Sequence, residues 1–303
     1  MGDPTVLSAQ RAKQVGPVCT VPDGPEIAEK ADNYFKAAAK TLARELRDVL
    51  ERIPNPLLRN LALRGYLIYP SLGRGTIKDN WAWTSDEEKK YKESDEGKAA
   101  LEGVDRVKSI FASANPGYTL GVVKKVRSLD TQIDFWNRQD KPKPPEKKGG
   151  EETEYPGFKA AKALGFQARC ELSDTRKYSD PAEGGSVPPD SLRSFIRFIK
   201  RGHVTGGYKP TWATPGLSDH GQLKAFDFVV LNGRQTVVGA NAGKESIAKW
   251  EKKDLDGGES WKDKLKNAVE AARKSPPNPK FSGPLQAGSL NEPWHYAYEG
   301  QES

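Results

Sequence analysis

The chain of 303 residues carries 48 Lys and Arg against 41 Asp and Glu, for a formal net charge of +7, and 36% of its residues are hydrophobic. This balance predicts a globular chain with a hydrophobic core. We expect no membrane-spanning helix, because no run approaches the roughly 18 apolar residues that such a helix needs. Residues 1–24 lack the apolar segment of a secretory signal peptide, so action outside the cytoplasm would need a dedicated route.

The positive charge and the cysteines narrow the function classes only a little. Excess positive charge favours a polyanionic partner, such as nucleic acid, an anionic membrane surface or a cell wall, and it also serves solubility alone. The sequence has neither a groove-reading element nor a basic stripe with interleaved aromatics, so we expect no nucleic-acid partner. Cys19 and Cys170 belong to no Cys-x-x-Cys pair, which argues against a thiolate metal site and leaves their pairing open.

The N-terminal region is predicted to be helical after a loosely held arm over residues 1–24. From Pro25, apolar residues recur every three or four positions, which predicts one long amphipathic helix that ends before Pro54. A shorter helix is expected around Leu57–Leu63. The stretch Tyr69–Glu96 mixes Gly, Pro, Trp and many charges, which predicts an irregular surface segment.

The middle of the chain combines a helix, a strand and a charged insertion. A helix is predicted over Lys98–Ser113, and the β-branched segment Tyr118–Val126 predicts a strand. Residues 138–156 are almost wholly charged or Pro and Gly, so they cannot bury apolar surface and are expected to form an exposed insertion. A second loop-like run spans Ser173–Pro189.

The C-terminal third alternates helices and hairpins. Asp190 or Ser191 is predicted to cap a helix that stops at Gly202. The later elements are strands at Ala225–Leu231 and Gln235–Val238, joined through the hairpin signal Asn232-Gly233, a helix at Trp261–Ala272 and a last strand at Trp294–Tyr298. This order predicts an α+β fold with a small antiparallel sheet flanked by helices.

Two of the three histidines lie near acidic residues in patterns suited to metal binding. His220 lies in a Gly-containing turn, and Asp227 follows seven positions later at the start of a strand. The turn lets the imidazole reach back over the sheet, so both side chains can approach one Zn²⁺ at about 2.0–2.2 Å. The third histidine, His203, follows a helix stop and has no acidic neighbour, which favours a loop position.

The second pattern is the run Glu292-Pro293-Trp294-His295. Because side chains alternate along a strand, His295 and Trp294 are expected to face opposite sides. Glu292 lies three residues before His295, across a proline that bends the chain, so it can stand near a metal without binding it. A hydrolytic zinc site needs three protein ligands and an open position, and a nearby carboxylate can take the proton of the water held there.

Together these patterns resemble the zinc D-alanyl-D-alanine carboxypeptidase and dipeptidase family, which includes VanY- and VanX-type enzymes and phage L-alanyl-D-glutamate endolysins. The family pattern is Ser-x-His-x6-Asp followed by a distal Glu-x-Trp-His. The matching residues are Ser218, His220, Ala225, Asp227, Glu292, Trp294 and His295. The resemblance implies zinc ligation by His220, Asp227 and His295, with Glu292 as the general base.

A further family element is an Arg-Ser pair after a strand with a Gln in the next helix, which Arg127, Ser128 and Gln132 match. In the family this Arg contacts the substrate, and a guanidinium near a metal can hold a carboxylate or a developing oxyanion. The implied substrate contacts are Arg127, Ser128, Gln132, Ser218 and Trp294. Two positions depart from the family pattern: Leu223 stands where Gly is usual, and Val126 where Tyr is usual.

The resemblance covers about residues 116–303 and implies a zinc peptidase domain there, with a charged insertion near residues 138–189. Residues 1–115 form an N-terminal arm and helical region to which no role is assigned. The implied activity is hydrolysis of a peptidoglycan peptide bond, by carboxypeptidase or endopeptidase action.

Two biological settings fit this activity. One is an antibacterial effector delivered to the periplasm or cell wall, with a secretion apparatus or an immunity protein as partner, and the other is a phage-type lysin. The alternative function is a cell-wall-binding module that keeps the fold and has lost catalysis. Glu292 argues against that alternative, because a module that only binds needs no base beside the metal.

Overall fold

The structure, a computed structural model, describes residues 25–72, 75–139, 165, 167–182, 184, 186–202, 210, 212–240, 244–287 and 290–301. Three predictions concern residues outside these ranges: the N-terminal arm, the charged insertion beyond residue 139 and the loop position of His203. Cys170 is disulfide-bonded. Cys19, the other cysteine of the chain, is also outside the described residues.

The chain divides into two compact units, each discontinuous in sequence. The first comprises residues 1–47 and 147–208, and the second comprises residues 48–146 and 209–303. The boundary predicted at residue 115 falls inside the second unit. Residues 48–115 therefore share a compact unit with every residue predicted to bind metal or substrate.

The described residues form an α+β fold, as the sequence predicts. The helices are α1 (Pro25–Lys40), α2 (Arg44–Glu51), α3 (Pro56–Ile68), α4 (Ser85–Glu93), α5 (Asp95–Ala114), α6 (Leu129–Arg138), α7 (residues 167–172), α8 (Pro189–Lys200), α9 (Lys244–Glu251) and α10 (Trp261–Arg273). The strands are β1 (Tyr118–Val122), β2 (Ala225–Asn232), β3 (Gln235–Val238), β4 (Pro279–Ser282), β5 (Leu285–Ala287), β6 (Leu290–Glu292) and β7 (His295–Gln301). None of the helices in the described part of the chain has the length and apolar character needed to cross a bilayer.

The single long helix predicted from Pro25 is wrong in its continuity, because the segment forms two helices, α1 and α2. At the break, the Thr41 hydroxyl and amide both donate to the Ala38 carbonyl, at 2.7 and 3.2 Å. A continuous α-helix would bond that carbonyl to the Leu42 amide, which instead donates to Ala39 at 3.0 Å. Competition from the Thr41 hydroxyl for a helix carbonyl therefore accompanies the end of α1.

Helix α4 corrects the prediction of an irregular segment over Tyr69–Glu96. Its sequence is polar on all sides, so it has no apolar stripe to indicate a helix. The signal that it does carry is a capping box, in which the Glu87 amide donates to the Thr84 hydroxyl at 3.3 Å and the Thr84 amide donates to the Glu87 carboxylate at 2.7 Å. Capping chemistry therefore specifies this helix where periodicity fails.

Other differences from the predictions are local. Helix α8 begins at Pro189 after Pro188, which offers no side-chain cap, so neither Asp190 nor Ser191 has the predicted capping role. Proline suits this first position because its missing N–H would have no helical partner there. The sequence patterns predict neither α9 nor the short strands β4 to β6.

One antiparallel sheet organises the second unit. Its strands lie in the order β1-β2-β7-β4, and β3 also pairs with β2. The predicted hairpin of β2 and β3 is confirmed, with Gly233 at φ 58° in the two-residue loop between them. Strands β5 and β6 form a separate hairpin.

Side chains alternate across β2 and β7, as strand geometry requires. Phe226, Phe228 and Tyr296 are at most 1% exposed and belong to the hydrophobic core. Asp227 lies between the two phenylalanines on β2, and His295 directly precedes Tyr296 on β7. These two residues are paired in the β2–β7 register. The alternation therefore buries the aromatic residues and sets an acid and a histidine side by side on the opposite face.

Helix α5 completes this core although it belongs to the region given no role by the sequence. It packs on β1 and α10, and its Val104, Val107 and Phe111 are fully buried among core residues. A fragment beginning at residue 116 would lack this helix and would expose the apolar face of the sheet. Residues 95–114 are thus part of the scaffold that carries the candidate site.

We expect Phe111→Ala to lower the free energy of unfolding by about 3–5 kcal/mol, because it leaves a cavity in the core under the sheet. Urea unfolding of both proteins measures the difference. Ser109→Ala, on the exposed side of the same helix, is the control and should change the free energy by less than about 0.5 kcal/mol. Equal effects of the two substitutions would contradict the placement of α5 in the core.

Candidate metal centre

Strand pairing and one turn bring the three predicted ligands together. Asp227 on β2 lies opposite His295 on β7, and His220 lies in the 3-10 turn Asp219–Gln222 just before β2. Within the described residues, one ligand atom from each of the three lies within 4.8 Å of the others. The predicted metal-binding group is therefore assembled in the fold.

Asp227 is the centre of this group. Its Oδ1 lies 3.0 Å from His295 Nδ1, and its Oδ2 lies 3.2 Å from His220 Nε2. The two imidazole rings meet nearly edge to face, with centroids 5.0 Å apart. His295 is 9% exposed at its side chain, whereas Asp227 is 26% exposed. The carboxylate is therefore reachable while one of its histidine partners is almost enclosed.

The turn that carries His220 ends in a left-handed residue. Leu223 has φ 52° and ψ 27°, and its side chain is 1% exposed in the core. This is the conformation that Gly adopts without strain, and Gly is what the family pattern has at this position. Burial of the Leu223 side chain offsets the backbone cost, so the departure from the family pattern leaves the turn intact.

The electrostatics of the group favour a charged Asp227. Burial raises the pKa of Asp227, but hydrogen bonds and charge from His220 and His295 outweigh it and hold the pKa well below its ordinary value. Burial likewise lowers the pKa of His295, and the hydrogen bond and charge of Asp227 reverse that effect, so the pKa is raised. A metal would therefore meet a carboxylate that is already ionised and a histidine that must first lose a proton.

Glu292 lies beside the group without joining it. Its Oε2 is 3.7 Å from His295 Nδ1, beyond hydrogen-bond distance. Burial raises the pKa of Glu292, the charge of His295 opposes that shift, and the net effect is a raised pKa. Two carboxylates in one site thus have opposite pKa shifts, an arrangement found where one group binds charge and the other transfers protons.

Arg127 provides the positive charge at the other side of Asp227. Its Nη2 lies 3.7 Å from Asp227 Oδ2, and its side chain is 24% exposed. Its backbone is tied to the metal group as well, because the Arg127 amide donates to the His220 carbonyl at 2.8 Å. The Arg-Ser element predicted from the sequence is therefore directly bonded to the turn that carries the first histidine.

A second segment supports the same turn from the N-terminal region. The amide of Trp83 donates to the Gly221 carbonyl at 2.8 Å. The Gln222 side-chain amide donates to two carbonyls, those of Asp79 at 2.6 Å and Trp81 at 2.9 Å. Residues 79–83 therefore act as a backbone strap along the His220 turn.

The strap lies against the backbone of Gly216. The Ala82 amide donates to the Gly216 carbonyl at 3.0 Å, and a Cβ at position 216 would meet the Trp81 ring at 2.2 Å. Gly216 also has φ 85°, a region that other residues rarely adopt. Glycine is therefore required at this position for Trp81 to lie over the backbone.

Two of the residues predicted to contact substrate, Trp294 and Gln132, are buried. Trp294 is 2% exposed and packs in the core near Trp250, with ring centroids 6.3 Å apart, and its predicted contact with substrate stays a prediction. The side chain of Gln132 is buried. Its Nε2 donates to the Arg127 carbonyl at 2.7 Å, and its Oε1 accepts from the Gly216 amide at 2.9 Å. Both polar atoms of Gln132 are thereby used in holding the site.

The two predicted serines differ in their surroundings. Ser128 is exposed at the N-cap of α6, where its hydroxyl accepts from the Thr131 amide at 3.3 Å. Ser218 is 9% exposed, and its carbonyl accepts from the Gly221 amide at 2.7 Å at the start of the His220 turn. Their predicted contacts with substrate stay predictions.

Sequence patterns did not indicate three residues that shape the site. Gln222 holds the strap, and Phe135 and Trp212 lie against Arg127, with the Arg127 guanidinium carbon 5.5 and 5.6 Å from their ring centroids. Gln222 lies two residues after His220, and this proximity to a predicted ligand was the one signal in the sequence that it belongs to the site. Trp212 is 85 positions from Arg127 in the sequence, so no local pattern could associate them.

The donor set suits a metal ion that is intermediate between hard and soft. Two imidazole nitrogens and one carboxylate oxygen are ligands that Zn²⁺ accepts in catalytic sites, and they leave coordination positions open. The same set suits ferrous iron, so the donor atoms define a metal-binding group without fixing the element. Supporting bonds orient the group, as ligands in metal sites require: the His220 carbonyl is bonded to Arg127, and the following turn to residues 79–83.

No family model matches the chain, and the comparisons with curated proteins and with solved structures found no match either. The family resemblance noted in the sequence therefore rests on its motifs. The metal-binding group rests separately on the positions of its atoms.

Metal binding should weaken as the pH falls. The pKa of His295 is raised above its ordinary value near 6.5. In the metal-free protein the imidazole therefore stays protonated until the pH rises above the raised pKa. Zinc must displace the proton, so affinity falls as the pH drops through the raised pKa and one or more protons are released on binding. Titration calorimetry in buffers of different ionisation enthalpy measures the released protons, and binding without proton release would contradict the placement of His295.

Gln222→Ala should weaken metal binding about 10- to 100-fold, since it removes the bonds that fix the turn behind His220. Loss of one buried amide partner should also lower the free energy of unfolding by about 1 kcal/mol. Competition with a chromophoric chelator measures the zinc dissociation constant. Gln235→Ala, on the exposed face of β3, is the control, and unchanged zinc affinity in Gln222→Ala would show that the strap does not support the site.

Proposed function

We propose that this protein is a zinc-dependent hydrolase of peptidoglycan peptides. The observation that carries the proposal is the position of Asp227 between His220 and His295, with Glu292 and Arg127 each 3.7 Å from a member of the group. The sequence resemblance to D-alanyl-D-alanine carboxypeptidases adds the substrate class. Each residue then has a chemical role that follows from its surroundings.

His220, Asp227 and His295 would hold the zinc. When bound, zinc polarises a carbonyl and makes water a stronger nucleophile near neutral pH. The hydrogen bonds from both histidines to Asp227 keep the three side chains converged before a metal arrives. Preorganisation of this kind lowers the cost of assembling the ligands.

Glu292 is assigned to proton transfer. Its side chain is 21% exposed and stands 3.7 Å from His295, close to the group but not part of it. Its raised pKa brings the carboxyl closer to neutral pH, where a group best both accepts and returns a proton. We assign it the removal of a proton from water and the delivery of that proton to the leaving amine.

Arg127 is assigned to the anionic oxygen of the substrate. Burial lowers its pKa, while Asp227 and Glu292 raise it, and a guanidinium in such a site remains charged. A partly enclosed positive charge attracts a terminal carboxylate or the oxyanion that develops on the attacked carbonyl. These two uses correspond to effects on KM and on kcat, respectively.

The setting of the activity is part of the proposal. An effector delivered to the periplasm or cell wall and a phage-type lysin both require an enzyme that reaches peptidoglycan. The net charge of +7 favours approach to an anionic wall. A secretion apparatus or an immunity protein would be the partner in the first setting.

Metal content and hydrolysis, measured on four proteins, test the proposal. We expect wild type to bind about one zinc per chain and to release peptide fragments from purified peptidoglycan. His295→Ala should lose the metal, and Glu292→Gln should keep it while turnover falls about 10²- to 10⁴-fold. Glu299→Gln changes an exposed carboxylate on β7, the strand of His295, which pairs with Lys280 at 3.2 Å, and should match wild type.

The outcomes separate the alternatives. Zinc binding without hydrolysis of any peptidoglycan peptide would favour the wall-binding module. Iron in place of zinc would point to different chemistry on the same ligands. Wild type without metal, or Glu292→Gln with full activity, would contradict the assignment of the site.

A further inference from the structure

Two aromatic rings lie against the guanidinium of Arg127. The Phe135 and Trp212 rings are stacked, with centroids 4.7 Å apart and planes at 29°. The Arg127 guanidinium carbon lies 5.5 Å from the first centroid and 5.6 Å from the second. The three groups therefore form a compact cluster at the edge of the metal-binding group.

The contacts of this cation in the described part of the chain are mainly with aromatic rings. Among the described residues, no hydrogen bond from the Arg127 guanidinium is found, and the Asp227 oxygen at 3.7 Å is too distant for one. Aromatic rings attract a cation through their quadrupole and supply no oxygen to bond it. The contacts can thus fix the position of the charge and leave N–H donors available to a ligand.

The arrangement is unlike that of a core cluster. Trp212 is 38% exposed, one of the most exposed large hydrophobic residues in the described part of the chain. Its backbone is nevertheless fixed, because the Trp212 amide donates to the Gln139 side-chain oxygen at 3.2 Å. Burial of apolar area alone therefore accounts poorly for a tryptophan held at this place.

We propose that Phe135 and Trp212 are positioning residues, which hold the Arg127 guanidinium beside the metal-binding group so that its N–H groups meet an anionic oxygen of the substrate. This inference rests on the proposed function. With zinc bound, Asp227 would be occupied as a ligand of the metal, and the two rings would still attract Arg127. The shared chemistry of the ligand is an anionic oxygen, either a terminal carboxylate or a developing oxyanion.

Kinetics of zinc-loaded Trp212→Ala and Phe135→Leu test the inference. Both changes remove a ring, and the leucine keeps most of the volume so that α6 remains packed. We expect kcat/KM for a peptide with a free terminal carboxylate to fall about 3- to 30-fold, the range that cation–π contacts support. Trp212→Phe should restore most of the loss. A rise in KM assigns the effect to the carboxylate, and a fall in kcat assigns it to the oxyanion.

A double-mutant cycle separates positioning from an independent role. If the rings act through Arg127, Trp212→Ala adds no further loss to Arg127→Ala. Arg138→Ala is the matched control, because its guanidinium carbon is also 5.8 Å from the Phe135 ring but on an exposed side chain that pairs with Asp134. The inference is overturned by additive losses in the cycle, by equal losses in Arg138→Ala, or by unchanged kinetics in Trp212→Ala.

A readout independent of catalysis keeps this test separate from the proposed function. Phenylglyoxal modifies accessible guanidinium groups, and peptide mass spectrometry measures its rate at Arg127 in the metal-free full chain. Removal of the Trp212 ring should raise that rate at least about threefold, as expected for the loss of one cation–π contact, while Trp212→Phe and Arg138→Ala leave it unchanged. Faster modification with no hydrolysis in wild type would uphold the positioning and reject the peptidase. An unchanged rate in Trp212→Ala would reject the positioning even if wild type is an active peptidase.

Discussion

The pairing of Asp227 with His295 across β2 and β7 is the constraint on which the site depends. A shift of one residue in this register would turn the acid and the histidine toward the core and expose Phe226 and Tyr296. Because those aromatic residues are 0% and 1% exposed, the hydrophobic core fixes the register. The same packing that stabilises the sheet therefore aligns two of the three metal-binding side chains.

The third ligand depends on a different kind of support. His220 lies in a short turn that no strand pairing fixes, and backbone bonds from Arg127 and from the strap at residues 79–83 hold it on two sides. Helix α5, which follows this segment in the chain, packs in the core beneath the sheet. Residues 79–83 and helix α5 are thus part of the scaffold of the candidate site, although no recognisable motif marks them.

The pKa values of the two carboxylic acids of the site are shifted in opposite directions. Hydrogen bonds from two histidines keep Asp227 ionised, whereas burial with weaker compensation raises the pKa of Glu292. A metal-binding carboxylate and a proton-transferring carboxylate can then coexist within one small group. Arg127 carries a positive charge beside Asp227, and the Phe135 and Trp212 rings lie against its guanidinium.

The sequence by itself determined the features that neighbouring residues encode: the β2–β3 hairpin through Asn232-Gly233, the helices α5 and α10 through their periodicity, and the metal-binding side chains through two short motifs. The predicted separation of His295 from Trp294 also agrees with the structure, since His295 pairs with Asp227 and Trp294, just before β7, is buried in the core. Only the tertiary structure decided that Trp294 belongs to the core, that both polar atoms of Gln132 hold backbone, and that Trp212 stands beside an arginine 85 positions away. The physical reason is that periodicity and turn chemistry act over a few residues, whereas partners of side chains are chosen by packing between segments far apart in the chain.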